Sequence, residues 1–204
     1  MKATSAEAKQ LISRQYLVSN MRISVTLLQY DHGIVRQVLD VVGEVCRTRR
    51  VDRHVLELKE TMVFMERFLD RFHHAKEEKF LFPAAAEECP KLADTLARLK
   101  KEHAQARRMM KAALKALDEG DLEKAEKEMR RLVDHMTVHI TEEENQVFPV
   151  IEAGLLLETD AKVHAHYERF TEKDFGKNYY QASETFANDI QERLLGPGHI
   201  KGIV

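Results

Sequence analysis

The stretch FHHAKEEKFLFP (72–83) occurs again, in altered form, as VHITEEENQVFP (138–149). Each copy places a His four residues before a Glu and ends in Phe-Pro. Residues four apart lie on one face of an α-helix, so each copy presents an imidazole beside a carboxylate. Either these are two surface coincidences, or they are the two halves of one metal site.

The rest of the chain is written in helix-forming residues. Only 8 Gly and 4 Pro occur in 204 residues, and Ala, Leu, Glu, Lys, Arg and Met lose little rotamer freedom in a helix. Apolar residues recur at steps of three and four over about 20–48, 52–86, 91–117 and 121–152. Gly120 with Asp121 suits a turn, and Pro90 suits the first turn of a helix. The pattern predicts an all-α protein containing an up-down-up-down four-helix bundle.

Each of the four apolar seams is interrupted by polar residues at core positions. Buried polar groups cost free energy unless they are bonded, and charged carboxylates cost more. In an antiparallel bundle the interruptions fall at heights that differ by less than roughly 8 Å, given ~1.5 Å of rise per residue. The predicted metal ligands are His32, His73, Glu77, His103, His139 and Glu143.

Imidazole and carboxylate together suit Fe, Mn or Zn, whereas oxygen ligands alone suggest Ca or Mg. Four His and two Glu exceed the needs of one tetrahedral zinc. Two adjacent metals bridged by the two carboxylates would leave coordination positions for water, O2, peroxide or NO. A single His–Glu pair is weak evidence in a chain with 34 acidic residues, so the prediction depends on the conjunction of both pairs with two further seam histidines.

Four segments together resemble the hemerythrin-like, His-His-Glu cation-binding family over about 24–152. They are YDHGIVRQVLD (30–40), FHHAKEEKFLFP (72–83), KEHAQARRMM (101–110) and VHITEEENQVFP (138–149). The resemblance implies a four-helix bundle with a non-haem di-iron centre that binds oxygen, nitric oxide or peroxide. It also implies that the six predicted residues are the iron ligands, with Glu77 and Glu143 bridging.

Two departures from related patterns narrow the function. Oxygen-carrying hemerythrins have a second His one turn along the third helix, where this chain has Arg107; this argues against an oxygen carrier. Ferritin-like di-iron proteins use Glu-x-x-His, and none of the ten His here has Glu three residues before it. The sequence therefore argues against a ferritin-like protein. The sequence does not identify which residue would act as a catalytic proton donor.

Several neighbouring residues stay open as alternatives. His74 and Glu78 form a second His–Glu pair one residue out of register, although aligning the two Phe-Pro endings favours His73 and Glu77. Glu78 and Glu144 are interpreted as outward-facing or supporting acids. His135 lies one turn before His139 and is either a fifth ligand or a supporting residue. His164 and Glu168 form another pair, read as a surface pair or as a cap over the site.

The predicted bundle, 20–152, leaves an N-terminal helical extension at 1–19 and a C-terminal extension at 155–204. The C-terminal extension reads as two helices broken near Gly176, which either cover the bundle or join two protomers into a homodimer. Interspersed charge with a net of −2 indicates no nucleic-acid partner. No signal peptide or membrane span is evident, and two cysteines, Cys46 and Cys89, fit a reducing cytoplasm.

Three hypotheses for function follow from the sequence. The first is an enzyme with two irons, or Mn or Zn in their place, that decomposes peroxide or reduces nitric oxide. The second is a non-catalytic sensor, carrier or iron-handling protein that binds oxygen, nitric oxide or iron. The third is a structural metal bundle without redox chemistry.

Overall fold

The computed structural model describes residues 21–197, and these residues form helices joined by short turns. The α-helices are α1 (Ile23–Arg47), α2 (Val55–Met65), α3 (Phe82–Glu88), α4 (Ala93–Glu119), α5 (Leu122–Glu142), α6 (Phe148–Gly154), α7 (Leu157–Asp174) and α8 (Tyr179–Leu195). The all-α prediction is confirmed. The predicted N-terminal extension at 1–19 lies outside the described residues, as do residues 198–204 of the predicted C-terminal extension.

Four long helical units form the bundle: α1, then 55–88, then α4, then 122–154, and each packs against the next, with the fourth returning to the first. The second unit runs from α2 to α3 through wide π-helical turns at Glu66–His74 and Glu77–Leu81, and the fourth runs from α5 to α6 through one at Glu143–Val147. Such turns are rare and occur often at functional sites.

The turns have the local chemistry that the sequence predicted. Gly120 ends α4 with φ of 74°, a left-handed conformation that glycine adopts without a Cβ penalty. The Asp121 side chain then accepts a hydrogen bond from the Lys124 amide at the start of α5, which satisfies one of the free N–H groups there. Pro90 opens a short 3-10 turn, Pro90–Leu92, before α4.

The helices α7 and α8 pack against the first and second bundle units. Asp160 of α7 caps α1, because its carboxylate accepts hydrogen bonds from the backbone amides of Ile23 (2.9 Å) and Ser24 (3.0 Å). The side chain of Arg22, the residue that precedes α1, makes no capping hydrogen bond, so a C-terminal helix supplies the cap of the first bundle helix. The predicted homodimer through these helices stays a prediction.

The core consists of two apolar clusters separated by a polar layer. One cluster contains Val38, Met62, Met110 and Met136, and the other contains Leu28, Phe82, Leu99 and Phe148. Between them lie the buried histidines and glutamates. Among the described residues no helix is both long and apolar enough to cross a membrane.

Candidate metal centre

The four seam histidines meet in the polar layer as two pairs. The Nε2 atoms of His32 and His73 are 3.1 Å apart, and those of His103 and His139 are also 3.1 Å apart. All four side chains are buried. The first pair joins the first and second bundle units, and the second pair joins the third and fourth.

Glu77 and Glu143 lie between the two pairs. Glu143 turns one oxygen to each pair, 3.3 Å from the Nε2 of His32 and 3.3 Å from the Nε2 of His139. One oxygen of Glu77 faces both pairs, 3.6 Å from the Nε2 of His73 and 3.4 Å from that of His103. None of the four buried carboxylate oxygens has a hydrogen bond of good geometry. Each carboxylate is placed to serve both pairs.

The outer nitrogen of every one of these histidines meets a carboxylate. The Nδ1 atoms of His32, His73, His103 and His139 lie 2.9, 3.1, 2.8 and 2.9 Å from Glu144, Asp31, Glu78 and Glu102, respectively. An ionised carboxylate only accepts hydrogen bonds, so each Nδ1 carries the proton and donates it. Each Nε2 therefore directs a lone pair into the centre.

The carboxylates form a closed ring around the bundle. Asp31 of the first unit reaches His73 of the second, and Glu78 of the second reaches His103 of the third. Glu102 of the third reaches His139 of the fourth, and Glu144 of the fourth returns to His32. Every outer carboxylate therefore orients a histidine on the next helix, always in the same rotational sense.

The centre has the donor set that a pair of cations needs. Two nitrogen ligands at right angles, each about 2.1 Å from one metal, are about 3 Å apart, which matches the spacing in both histidine pairs. Without a cation, the facing lone pairs and bare carboxylate oxygens would repel one another. The groups that could hold a metal include His32, His73, Glu77 and Glu143 on one side, and His74, His103 and His139 on the other.

The pKa values indicate the same demand for positive charge. Burial acts to lower the pKa of His139, but Glu143 and Glu102 outweigh it and raise that pKa to about 9. Burial dominates at His73 and lowers its pKa to about 4. The pKa of His32 is raised, against burial, by Glu143 and Glu144, whereas that of His103 is lowered by burial. In each pair, therefore, one histidine has a raised pKa and the other a lowered pKa. Each pair thus favours a single positive charge, at the place where a metal ion would bind.

His74 is a fifth imidazole in the centre. It is fully buried, and neither of its ring nitrogens has a hydrogen-bond partner. Its ring stacks on that of His103, with centroids 3.8 Å apart and planes 10° apart. His73 and His74 are consecutive, and both are buried at the end of the π-helical turn Glu66–His74.

Other residues weighed from the sequence lie away from the metal centre. His135 bonds the backbone oxygen of Glu102 at 3.0 Å, so it supports the third unit. Arg107 turns outward to Asp70 (2.6 Å). His164 is partly exposed, and its nitrogen is 4.0 Å from Glu168 on the helix surface.

Each histidine–carboxylate contact of the ring is called a corner. At three of the four corners the carboxylate also pairs with an arginine at the surface, and these are the open corners. Glu144 bonds Arg36 through both oxygens, at 2.8 and 2.6 Å. Glu78 lies 3.4 Å from Arg107, and Glu102 pairs with Arg98. These arginine side chains are 43, 31 and 45% exposed, respectively.

The fourth corner, at His73, has no contact with solvent and is called the sealed corner. Asp31 pairs there with Lys76, and both side chains are 0% exposed. Burial acts to raise the pKa of Asp31, but Lys76 and His73 outweigh it and lower that pKa. A buried charge pair is expensive to leave incomplete, so this corner differs from the other three in kind.

Comparison with known proteins agrees with this geometry. The family model described as the hemerythrin HHE cation binding domain matches residues 24–169, which is most of the chain. The chain belongs to the hemerythrin HHE cation-binding family. The match extends beyond the four bundle units into α7, so the first of the C-terminal helices lies within the matched region.

Three mycobacterial relatives resemble this hemerythrin-like chain. They carry the descriptions "Uncharacterized protein Mb2018", from Mycobacterium bovis, and "Uncharacterized protein MT2051" and "Uncharacterized protein Rv1995", from Mycobacterium tuberculosis. Each is 23% identical over 175 residues, covering 82% of this chain and 68% of the relative. No solved structure matches significantly.

The sequence predicted the six central residues but missed two of the carboxylates around them. Asp31 and Glu102 each stand directly before a seam histidine, and Glu78 and Glu144 each stand directly after a seam glutamate. An acid beside a predicted ligand was therefore the available signal. Lys76 gave no such signal, because a lysine in a charged stretch reads as a solvent-facing residue.

Proposed function

We propose that this hemerythrin-like chain holds two irons between its histidine pairs and uses them to bind and process peroxide or a diatomic gas. His32 and His73 would hold one ion, His103 and His139 the other, and Glu77 and Glu143 would bridge the two. The observation that carries the proposal is the pair of 3.1 Å Nε2–Nε2 contacts across two buried carboxylates whose oxygens lack hydrogen-bond donors.

His74 extends the proposed ligand set. Its ring nitrogens have no hydrogen bond, although the Nδ1 lies 3.8 Å from Asp70. They lie beside the His103–His139 pair, where a third imidazole would make the two metal positions unequal. The position next to His32 and His73 would then keep the more open coordination sites. A small ligand would bind there first.

Bound iron would supply reversible one-electron chemistry and acidic coordination positions for oxygen-containing ligands. The chain contributes orientation and exclusion of water. The ring of carboxylates fixes each imidazole in one tautomer. Phe148 stacks on His32 at 5.6 Å and Phe82 on His103 at 5.9 Å, so apolar rings close the layer. Such a closed site suits O2, hydrogen peroxide or nitric oxide, and it excludes bulky substrates.

The deciding experiment combines metal content with optical spectra. Protein purified without oxygen is analysed for Fe, Mn and Zn, and spectra are recorded before and after addition of O2, hydrogen peroxide and nitric oxide. The expected result is two irons per chain, oxo-bridged ferric absorption after oxidation, and continued consumption of excess peroxide or nitric oxide.

Two histidines on α5 provide matched variants. His139→Gln should lose metal and the ferric spectrum, while His135→Gln, one turn away, should keep both. Reversible adducts without consumption of ligand would instead indicate a non-catalytic sensor or carrier. Stoichiometric zinc with a featureless spectrum would refute the iron proposal.

A further inference from the structure

The sealed corner of the metal centre continues into aromatic side chains. The Nζ of Lys76 donates a hydrogen bond to the hydroxyl of Tyr180 at 2.9 Å. The same ammonium lies 4.2, 5.2 and 5.4 Å from the ring centroids of Phe72, Tyr167 and Tyr180. Two of these rings belong to α7 and α8, outside the four bundle units. The Lys76 ammonium, the Tyr180 hydroxyl and three aromatic rings therefore lie next to Asp31, the carboxylate that contacts His73.

From Tyr180 the aromatic contacts reach the surface in one further step. The rings of Tyr180 and Tyr30 meet edge to face, with centroids 5.6 Å apart. Tyr30 is 46% exposed, and its hydroxyl donates a hydrogen bond to Glu184. It lines a groove of about 620 Å³ between α1 and α8, whose lining carries one ionisable carboxyl group, that of Glu184.

Charge neutralisation alone does not account for this arrangement. The other three outer carboxylates are each neutralised by one arginine at the surface. Asp31 would need no more than such a partner. Instead the chain buries a lysine and places two tyrosines, in mutual contact, between that lysine and solvent. Tyrosine is one of the few side chains that can lose and regain a single electron.

We propose that Tyr180 and Tyr30 relay single electrons from a small neutral phenolic reductant at the surface groove to the metal centre. The relay deepens the proposed function and rests on it, because it supplies the electrons for peroxide reduction. The order of transfer is reductant, Tyr30, Tyr180, then the centre through Lys76, Asp31 and His73. The groove admits a neutral ring more readily than an anion, because Glu184 lies in it.

The electrons and protons balance. In each step Tyr180 gives one electron and its phenolic proton to the oxidised centre. Tyr180 then takes one electron and one proton from Tyr30, and the reductant restores both to Tyr30 at the groove. Two such steps convert hydroquinone and hydrogen peroxide to benzoquinone and two water molecules.

The test uses iron-loaded, full-length protein and hydroquinone as the reductant. The reduced protein is mixed with hydrogen peroxide, frozen within the reaction time and examined by electron paramagnetic resonance for a tyrosyl radical. In parallel, the return of the ferric absorption to the reduced state is timed with hydroquinone. Both measurements are made on the wild type, Tyr180→Phe, Tyr30→Phe and Tyr179→Phe.

Tyr179→Phe is the matched control, because Tyr179 is the chain neighbour of Tyr180 and is also largely buried, but it packs on Phe68 and Phe72. We expect a tyrosyl signal in the wild type and in Tyr179→Phe, and its loss in Tyr180→Phe. Reduction by hydroquinone should slow about tenfold or more in Tyr180→Phe and in Tyr30→Phe, equivalent to about 1.4 kcal/mol of activation free energy.

The outcomes separate the relay from the proposed function. If peroxide oxidises the irons but no tyrosyl signal forms, and hydroquinone reduces all four proteins at one rate, the relay is refuted while the metal function stands. If the protein binds no iron, or its irons do not react with peroxide, both are refuted. Tyr30→Phe changes an exposed side chain and therefore tests the path even if Tyr180→Phe fails to fold.

Discussion

The corner at His32 and the corner at His73 solve the same problem in opposite ways. Both place a carboxylate against an outer histidine nitrogen, at 2.9 and 3.1 Å. Glu144 at the first corner is paired with a half-exposed arginine, whereas Asp31 at the second is paired with a lysine that has no exposure. Orienting a ligand therefore requires only the open arrangement, and the sealed one must have an additional role.

The two arrangements also differ in their energetic risk. An exposed ion pair contributes about 0–1 kcal/mol, so an open corner can change with little effect on folding. When one member of a buried ion pair is removed, the other member remains in the core as an uncompensated charge. The difference predicts effects of graded size, which the following measurements can test.

The largest effect is expected for Lys76→Met. This change leaves Asp31 buried without its cation, and we expect a loss of about 3–5 kcal/mol in the free energy of unfolding, measured with urea. The matched change at the open corner, Arg36→Met, should cost less than about 1 kcal/mol. The double variant Asp31→Asn/Lys76→Met should recover part of the loss, and equal losses at Lys76 and Arg36 would contradict the distinction between the corners.

The next effect is a dependence of metal-free stability on pH at the open corner of His139. The pKa of this residue is raised from 6.5 to about 9 in the folded protein. The stabilisation that protonated His139 adds to the free energy of unfolding is therefore complete below pH 6.5. It is lost as pH rises through about 9, a change on the order of 3 kcal/mol. Denaturation at several pH values measures it.

Variants on α5 test whether His139 causes this slope, which is the dependence of the free energy of unfolding on pH. His139→Gln should remove the share of the slope that His139 carries and leave the share of His32, whose pKa is also raised, while His135→Gln should keep the whole slope. His73 at the sealed corner should contribute no loss over this range, because burial lowers its pKa to about 4. A slope that is unchanged in His139→Gln would show that His139 does not contribute to it.

A smaller effect is expected on metal affinity when an open corner loses its carboxylate. Glu78→Gln should keep the fold but weaken metal binding about 10–100-fold, or about 1.4–2.7 kcal/mol, because His103 loses its orienting acceptor. Competition with a chelator measures the affinity. Glu87→Gln, an exposed position nine residues along, is the control, and an equal loss there would contradict the role of Glu78.

The smallest effect is expected at Arg98, which pairs with Glu102 and Glu142 at the surface. Arg98→Gln should cost about 0.2–1 kcal/mol of unfolding free energy, and high salt should abolish the difference because it screens exposed charges. Urea denaturation at low and high salt tests this. A large loss that persisted in high salt would place this corner with the sealed one.

The helices and the six central residues could be predicted because they depend on local spacing. His73 and Glu77, four apart, must share a helix face whatever else the chain does, and turns at Gly120 and Pro90 set the heights of the seams. These features follow from rules that act within one helix.

The outer layer of the site could not be predicted from the same rules. Which histidine Asp31 reaches depends on the rotation of two helices against each other. The π-helical turns change that rotation inside the second unit, burying His74 and Lys76. The sealed corner further requires Tyr180, which lies 104 residues from Lys76 in the chain, and sequence spacing carries no information on that contact.

The ring of outer carboxylates has a consequence for protein synthesis. Its closing contact joins Glu144 to His32 across 112 residues, and contacts between distant residues form late because they require closure of a long loop. While the chain emerges from the ribosome, the first three helical units can form only two of the ring's four contacts, because the other two need His139 and Glu144 of the fourth unit. Metal capture in its final geometry therefore belongs to the nearly finished protein, and a chain truncated before residue 144 leaves the central imidazoles without the complete ring that orients them.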